Sequence, residues 1–270
     1  MSAPGASQRR VQRRRDGAIS EASDQVAQEV PVALHYNGAS FAVLMATPCD
    51  LADLALGFSL SEGIVARADD LQVEAIAESV DGIAVDMRIP ADAAERLAAR
   101  GRSLPGYGGC GVCGSRELES VLRSPPPLAG DARIEEAALH RAMAALHARQ
   151  PLNAATGATH AAGFATRDGE LLLVREDVGR HNALDKLVGA IIGDGLDQAA
   201  GFAVVTSRAS YELAMKAAQA GLPLLAAISA PTTLAIALAA STGLCLVGFA
   251  RDGRCSVYAH PERLLPNPSA

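Results

Sequence analysis

The sequence predicts an α/β protein in which a mixed, mainly parallel sheet is covered by helices on both faces, together with a smaller N-terminal α+β unit. Two observations support this prediction. Over residues 131–265, short apolar segments of strand length alternate with helical segments. Apolar strands joined by crossover helices form parallel sheets that are buried on both faces. Over residues 29–100, alternating strand patterns and a turn dipeptide predict a separate α+β unit.

Composition limits the function classes. The chain has 270 residues, a net charge of −6 and five cysteines. Its length allows one large domain or two small ones, and its negative charge disfavours nucleic-acid binding. The odd cysteine count and the lack of a hydrophobic signal segment predict a cytoplasmic protein. The longest apolar run, 222–240, contains Pro223 and Pro231, so it is expected to form a strand and a helix rather than a membrane span.

Residues 1–28 are expected to be a disordered, arginine-rich tail. The arginines are followed by the polar run Asp16–Glu29, whereas a twin-arginine export signal would continue into an apolar segment. Long polar and charged segments cannot bury enough apolar surface to order the chain.

Residues 29–100 are expected to form the small α+β domain. Asn37-Gly38 is a turn dipeptide whose preference for positive φ suits a hairpin, and Asp50 is placed to cap a helix. The expected elements are strands at 30–36 and 39–45, a helix at 51–58, strands at 71–77 and 83–89, and a helix at 91–99.

Residues 131–265 are expected to form the second domain, after a mobile loop and linker at 101–130 whose end is marked by Ser124-Pro-Pro-Pro127. The expected helices are 134–149, 182–192, 210–220 and 232–240. The expected strands are 161–166, 171–175, 202–206, 224–228 and 244–250.

Cys110 and Cys113 lie in a run with almost no side chains, Pro105-Gly-Tyr-Gly-Gly-Cys-Gly-Val-Cys-Gly114. A structural zinc site normally needs four ligands, and the sequence has no second cysteine pair or His-x3-His, so no structural metal is expected. Zinc bound by this pair together with distant histidines is an alternative. A thioredoxin-like pair would open a helix directly after a strand, whereas this pair lies in a glycine-rich loop after the turn around Pro105. The segment is therefore interpreted as a mobile thiol carrier, with a glycine-rich loop carrying two incidental cysteines as the alternative.

Three predicted strand ends carry polar runs, and each run opens a helix. They are Glu176–His181, Ser207-Arg208 and Ser229–Thr232. Ligands of open α/β sheets bind outside the carboxyl ends of strands, and helix N-termini favour anions. The runs therefore predict a site for a phosphate-bearing ligand.

Each polar side chain has an expected role in that site. Arg180 and Arg208 would bind phosphates, Ser229 and Thr232 would donate hydroxyl hydrogen bonds, and Asp177 would pair with a base or sugar. The alternative is that these side chains cap helices and pair with one another. For His181, a neutral helix-start histidine bonded to backbone is an equal alternative.

Two enzyme classes are disfavoured. The sequence has no Gly-x4-Gly-Lys-Ser/Thr loop, which argues against nucleotide hydrolysis. A zinc deaminase needs His-x-Glu followed by Pro-Cys-x-x-Cys, whereas His160-Ala-Ala162 lacks the glutamate and the cysteine pair lies upstream.

Five segments of the chain resemble the FdhD/NarQ family, the formate dehydrogenase accessory sulfurtransferases. They are Gly109-Cys-Gly-Val-Cys-Gly114, Thr156-Gly-Ala-Thr-His-Ala-Ala162, Arg175-Glu-Asp-Val-Gly-Arg-His-Asn-Ala-Leu-Asp-Lys186, Ser229-Ala-Pro-Thr-Thr-Leu-Ala235 and Leu246-Val-Gly-Phe-Ala-Arg251. The resemblance extends from about Glu29 to Arg263. Ala158 and Ser207 stand where the family commonly has glycine.

The resemblance implies a sulfur carrier. Such a protein accepts persulfide sulfur from a cysteine desulfurase of the IscS type and passes it to the bis(molybdopterin guanine dinucleotide) cofactor of molybdenum or tungsten, for formate dehydrogenase. Cys110 would carry the persulfide and Cys113 would assist or resolve it. The implied cofactor-binding segment is Phe249-Ala-Arg-Asp-Gly-Arg254, and Ser207 would lie in the same pocket. GDP would mimic the cofactor.

The resemblance also implies a cytidine deaminase-like three-layer domain without the zinc site, and a homodimer. Two other functions remain open at this point. A molybdenum-cofactor chaperone would bind the dinucleotide without using its cysteines for transfer. A disulfide oxidoreductase would cycle Cys110 and Cys113 between thiols and a disulfide.

Overall fold

The computed structural model describes residues 3–101 and 125–267, so Cys110 and Cys113 lie outside the described residues. The described residues form seven α-helices and fourteen β-strands in four sheets. Of these seven helices, none is both long and apolar enough to cross a membrane.

The N-terminal arginines lie in a β-hairpin, where the sequence analysis expected a disordered tail over residues 1–28. Strand β1 (Ala6–Arg15) pairs antiparallel with β2 (Ala18–Ala27). The connecting residues Asp16 and Gly17 both have positive φ, 50° and 82°. Asp-Gly is a favoured dipeptide for such two-residue hairpin turns, and this signal outweighs the polar composition of the strands.

The next unit is a four-stranded sheet with two helices. Its elements are β3 (Val30–Tyr36), β4 (Ala39–Ala46), α1 (Leu51–Ser61), β5 (Gln72–Ser79), β6 (Gly82–Arg88) and α2 (Ala91–Gly101). The strand order is β4-β3-β6-β5, and only the β3–β6 pair is parallel. The hairpin predicted at Asn37-Gly38 is confirmed, with φ values of 50° and 81°.

Asp50 precedes α1 as expected, but the prediction that it caps the helix is wrong. Its φ is 53°, and its side chain accepts no capping hydrogen bond. A left-handed residue at this position turns its side chain away from the first helical turn, whereas capping residues are normally extended. The Asp50 carboxylate instead lies 3.9 Å from Nε of Arg175.

The remaining elements form a mixed six-stranded sheet with helices around it. They are β7 (Ile134–Glu135), α3 (Glu136–Ala148), α4 (Pro151–Thr156), β8 (His160–Thr166), β9 (Leu171–Asp177), α5 (Arg180–Gly193), β10 (Gly201–Val205), α6 (Tyr211–Gln219), β11 (Leu224–Ala227), α7 (Thr233–Thr242), β12 (Cys245–Arg251), β13 (Arg254–Ala259) and β14 (Leu264–Leu265). The sheet order is β13-β12-β11-β10-β8-β9, while β7 and β14 form a separate short pair.

The sheet is mixed, as predicted, but the prediction that it is mainly parallel is wrong. The β10–β11 and β11–β12 pairs are parallel, whereas β12–β13, β10–β8 and β8–β9 are antiparallel. Two hairpins account for two of these pairs, β8–β9 and β12–β13, since strands joined by a tight turn must pair antiparallel. One turns at Asp168-Gly169, and the other turns at Asp252-Gly253 into β13, a polar strand that was not predicted.

Helices cover both faces of this sheet, as predicted. Side chains of α5, α6 and α7 form one buried cluster with alternate residues of the strands, such as Ala203 and Val205 of β10. Residues between them, such as Phe202 and Val204, pack on the other face against α3. Alternation along fully buried strands thus gives three layers. The more specific expectation of a cytidine deaminase-like domain stays a prediction.

The two units meet where α1 crosses α5. A Cβ built on Gly57 of α1 would overlap the backbone carbonyl of Asp185, and one built on Gly189 of α5 would overlap that of Asp53. Two glycines at the crossing let the helix backbones touch, which side chains would prevent. The N-terminal unit is therefore packed directly on the helix that opens the candidate site.

Candidate functional site

The polar runs predicted from the sequence lie on one edge of the six-stranded sheet. Strands β9, β10, β11 and β12 run in the same direction, because β9 and β10 both pair antiparallel with the intervening β8. Their carboxyl ends therefore meet at one edge, where β8 begins. We call this the strand-end edge, formed by the ends of β9 to β12 and the start of β8.

Backbone hydrogen bonds tie the loops of this edge together. Ala209, after β10, donates to Ala230 O at 3.2 Å and accepts from Thr232 N at 3.0 Å. Phe249 N donates to Ser229 O at 3.2 Å, which joins the β11 loop to β12. The loops after three neighbouring strands consequently form one connected surface.

Asp177 is part of this edge but is not available to a ligand, so its predicted pairing with a base or sugar is wrong. The side chain is fully buried and lies 2.7 Å from Nζ of Lys186. Its oxygens also accept hydrogen bonds from the N–H groups of Thr47 and Gly179 and from the Asn182 amide. Every acceptor position faces a donor of the protein itself, as a buried carboxylate requires.

Arg180 fits the predicted anion site. It begins α5, whose N-cap residue Gly179 provides no side-chain cap. Nε of Arg180 is buried, and within residues 3–101 and 125–267 it has no hydrogen-bond partner. A buried guanidinium donor without an acceptor is rare in folded proteins. An anionic group at the start of α5 would accept a hydrogen bond from this Nε and would be favoured by the helix N-terminus.

Arg208 lies after β10 and is exposed, in contrast to the half-buried Arg180. Ser207 before it is buried, and its hydroxyl donates to the Arg208 carbonyl at 3.0 Å. Ser207 therefore shapes the loop, while the Arg208 side chain extends from it.

His181 contacts Glu212 of α6. It is 7% exposed, and its Nε2 lies 3.5 Å from Oε2 of Glu212. The hydrogen bond from His181 lowers the pKa of Glu212 to about 2, against the opposing effect of burial. The structure thus gives His181 a side-chain partner, which differs from both alternatives left open by the sequence.

The two hydroxyl residues of the β11 loop have different roles. Thr232 caps α7, since its hydroxyl accepts from Ala235 N at 3.3 Å. This is the helix-capping alternative rather than the predicted ligand contact. Ser229 is half-buried, and among the described residues no partner engages its hydroxyl. Of the two, Ser229 is the one that could bind a ligand.

The segment Phe249–Arg254 forms the end of β12 and the following turn, at the same edge. Its side chains are exposed except for Ala250, which is buried in the core. Phe249 has a φ of 52° and is 38% exposed. A large residue in the left-handed region is strained, and such strain concentrates at binding sites. Asp252 and Gly253 make the turn, with φ values of 54° and 70°.

An apolar surface lies beside this segment. A Cβ on Gly248 would be 2.8 Å from Cδ of Pro231 and 3.1 Å from the Tyr258 ring, so the glycine allows both to pack over the strand. Tyr258 is 37% exposed. Exposed aromatic rings next to arginines are suited to stacking with a nucleobase.

His160 is a site residue that the sequence analysis missed. It begins β8, opposite Asp177 of β9, and is half-buried. Burial lowers the pKa of His160, and the nearby Arg180 lowers it further. The sequence shows a histidine immediately before a predicted buried strand. No sequence signal, however, indicated that this end of β8 lies beside α5.

Comparisons with known proteins agree along almost the whole chain. A family model described as the FdhD/NarQ family matches residues 27–265. A protein named "Sulfur carrier protein FdhD" from Xanthomonas campestris pv. campestris (strain B100) is 59% identical over 261 residues, which cover 97% of this chain and 93% of the relative. A protein of the same name from Cupriavidus necator is 53% identical over 254 residues, covering 94% and 88%.

A solved structure has a similar fold. It is described as "a putative formate dehydrogenase accessory protein" from Desulfotalea psychrophila. The TM-score is 0.76 at 24% sequence identity, and the match covers 97% of this chain and 100% of the other.

Proposed function

The chain belongs to the FdhD/NarQ family, and from this premise we propose that it is a sulfur carrier serving formate dehydrogenase. In this proposal Cys110 accepts persulfide sulfur from a cysteine desulfurase of the IscS type. The sulfur then passes to the bis(molybdopterin guanine dinucleotide) cofactor of molybdenum or tungsten, which is the substrate. The name of the relatives and the two thiols in a glycine-rich run of the sequence support a sulfur-carrying role.

The observation that carries the cofactor half of the proposal is the buried Nε of Arg180 at the start of α5, which has no hydrogen-bond partner in the described part of the chain. A phosphate there would accept from the guanidinium and from N–H groups of the helix N-terminus. The exposed guanidinium of Arg208 lies on the next strand end. The proposed ligand is a dinucleotide with several phosphates, which suits two separated cations.

The guanine end of the ligand would contact the segment Phe249–Arg254. The exposed Phe249 ring offers a stacking surface, and Arg251 and Arg254 offer donors to a base or to phosphate. Ser229 would add a hydroxyl from the neighbouring loop. Asp177 and Thr232 would contribute by holding the loops in place.

The proposed transfer proceeds in two steps. The Cys110 thiolate attacks the terminal sulfur of the desulfurase persulfide, so a new S–S bond forms on Cys110 and the desulfurase cysteine leaves as a thiolate. The outer sulfur would then pass to the metal of the bound cofactor: the S–S bond breaks, Cys110 is released as a thiolate, and the metal supplies the two electrons that reduce the sulfur to a sulfide ligand. Cys113 could attack the Cys110 persulfide, which would release sulfide and leave a disulfide, so its role is assisting or resolving. A cytoplasmic homodimer is part of the same proposal.

The first test is sulfur loading. The purified protein is incubated with a cysteine desulfurase and cysteine, and mass spectra are recorded without reductant. We expect an addition of about 32 Da per transferred sulfur on the peptide that contains Cys110. The adduct should disappear in Cys110→Ala and persist in the matched thiol control Cys49→Ala. Cys49 is half-buried beside Gly5 and is distant in sequence from the pair.

A non-catalytic cofactor chaperone is the second candidate. It is favoured by the fact that every candidate contact described at the strand-end edge is a binding group rather than a nucleophile. The two functions differ in one result. A guanine nucleotide that binds at this edge while Cys110 takes up no sulfur would exclude the carrier and support the chaperone.

A further inference from the structure

Three side chains with metal-ligand chemistry converge away from the strand-end edge. Glu136 and His140 lie on α3, and Cys255 lies on β13. One ligand atom of each lies within 4.8 Å of those of the other two, and all three residues are half-buried. The cluster therefore combines one carboxylate oxygen, one imidazole nitrogen and one thiol sulfur in a partly desolvated place.

The fold explains why they meet. Residues four apart on a helix lie on the same face, which brings His140 Nε2 within 3.3 Å of Glu136 Oε1. Helix α3 covers the sheet face opposite α5, α6 and α7, and Cys255 packs at the margin of the core on that side. Strand β13 is joined to β12 by the Asp252-Gly253 turn, so pairing with β12 sets the position of Cys255 beside α3.

We propose that Glu136, His140 and Cys255 bind a divalent metal ion of the zinc type, with Zn²⁺ itself as the favoured ion. Zinc accepts sulfur, nitrogen and carboxylate oxygen ligands in tetrahedral geometry, at bonds of about 2.0–2.3 Å. Such bonds place neighbouring ligand atoms about 3.3–3.8 Å apart. The Glu136–His140 pair already has this separation, and the sulfur of Cys255 lies within 4.8 Å of both ligand atoms. Three protein ligands leave the fourth position for water or another ligand.

A helix-surface pair with a neighbouring inert thiol is the simpler interpretation, and the donor set argues against it. Exposed acidic clusters are common without a metal, but this cluster has a single carboxylate and is half-buried. Sulfur and imidazole ligands exclude magnesium and calcium, which take oxygen ligands, and select zinc and its neighbours in the transition series. Binding would displace the thiol proton of Cys255 to the solvent.

The site has a structural consequence for the strand-end edge. Cys255 follows Arg254 directly, so a metal would tie the start of β13 to α3 and thereby fix the turn that ends the segment Phe249–Arg254. An ion that binds only the folded protein raises its stability. Metal binding at this cluster requires neither sulfur transfer nor nucleotide binding.

The test uses Co²⁺ and Zn²⁺ as probes in a full-length Cys110→Ala/Cys113→Ala background, since that thiol pair would itself bind metal. We expect one Co²⁺ per chain, with a thiolate-to-cobalt charge-transfer band in the near ultraviolet, and displacement by Zn²⁺. Equilibrium dialysis with elemental analysis gives the stoichiometry. Cys255→Ser should abolish the charge-transfer band, and His140→Gln should weaken Zn²⁺ binding at least about tenfold, since even outer-shell changes weaken metal sites by about 10–100-fold.

Two matched controls complete the experiment. His147→Gln alters an exposed histidine on the same helix, and Cys49→Ser alters another half-buried thiol. Both should bind Co²⁺ and Zn²⁺ as the background protein does. Circular dichroism and thermal unfolding of each variant without metal show whether it is folded. No metal bound by the folded background protein, or a band that persists in Cys255→Ser, would overturn the proposal.

Discussion

Nζ of Lys186 lies 2.7 Å from Oδ2 of Asp177, and both side chains are completely buried. Both also bind the backbone of Thr47 in the N-terminal unit, since Asp177 accepts from Thr47 N and Lys186 donates to Thr47 O, each at 3.0 Å. The pair therefore connects the two units of the protein and positions the end of β9, where α5 begins.

Lys186→Met should strongly destabilise the protein. Loss of the lysine leaves a buried aspartate without its counter-ion, which typically costs about 3–5 kcal/mol. Urea unfolding measures the change. The control is Arg67→Met, which breaks an ion pair of 3.3 Å in which both side chains are largely exposed, and its unfolding midpoint should stay within error of the wild type. Equal effects of the two substitutions would contradict the assigned role of the buried pair.

Gly57→Ala should destabilise the protein because the added methyl group meets the backbone of α5 at the helix crossing. Overpacking of this kind costs about 1–3 kcal/mol. Gly193→Ala provides the comparison within α5, since a Cβ there would meet nothing within 4 Å. Removing a helical glycine at an open position gains about 0.5–1 kcal/mol. Thermal unfolding should therefore shift in opposite directions, and a neutral Gly57→Ala would argue against backbone contact between α1 and α5.

Arg180→Ala and Arg208→Ala should each weaken binding of GDP. A hydrogen bond to a charged group contributes about 1.5–3 kcal/mol, which corresponds to roughly 10–150-fold in affinity. Isothermal titration calorimetry gives the dissociation constants. Arg167→Ala is the matched control, because that side chain lies at the far end of β8 and binds Ala199 O at 3.1 Å. A uniform loss in all three variants would indicate general charge attraction rather than a site at the strand-end edge.

His160 should make the stability of the protein depend on pH below about 6.5, the ordinary histidine value. Burial and the nearby Arg180 hold the pKa of His160 below that value in the folded protein. As the pH falls, the unfolded chain therefore binds a proton before the folded protein does, and the free energy of unfolding decreases. Above about pH 6.5 both states are neutral at this residue and the contribution vanishes.

His160→Gln should remove that part of the pH dependence, measured by urea unfolding between about pH 7.5 and 5. The exposed His147 on α3 supplies the control variant His147→Gln, which should retain the wild-type slope. Bound GDP should raise the pKa of His160, because a phosphate at Arg180 would offset the positive charge of the arginine. NMR titration of the His160 ring would report the shift. An unchanged slope in His160→Gln would show that another group is responsible.

Much of the fold could be predicted because local signals were strong. Asn37-Gly38 correctly predicted the hairpin between β3 and β4. The apolar runs 202–206 and 224–228 match the observed bounds of β10 and β11 to within one residue at each end. Local signals also misled where the chain was polar. The Asp16-Gly17 turn pairs two charged strands, and the Asp252-Gly253 turn leads into the polar β13, so charge composition was a poor guide to both.

The candidate site was predicted only in outline. The sequence placed Arg180, Arg208 and Ser229 at strand ends, and the shared strand direction brings those ends together. The sequence could not distinguish buried from available side chains, so Asp177 was given a ligand role that its four internal partners fill. It also could not relate His160 to α5, or Cys255 to His140, because these neighbours are brought together only by the pairing of strands and the packing of α3.

The hairpin of β1 and β2 has a consequence for hydrogen exchange. A two-stranded ribbon is marginally stable by itself, and this one is held at its base, where Gln28 N donates to Gly5 O at 2.7 Å and Gly5 lies against Thr47. Opening should therefore begin at the exposed tip around Asp16 and spread toward Gly5. Amide protection along the ribbon should rise steadily from tip to base, which places Arg13, Arg14 and Arg15 on its fastest-exchanging part.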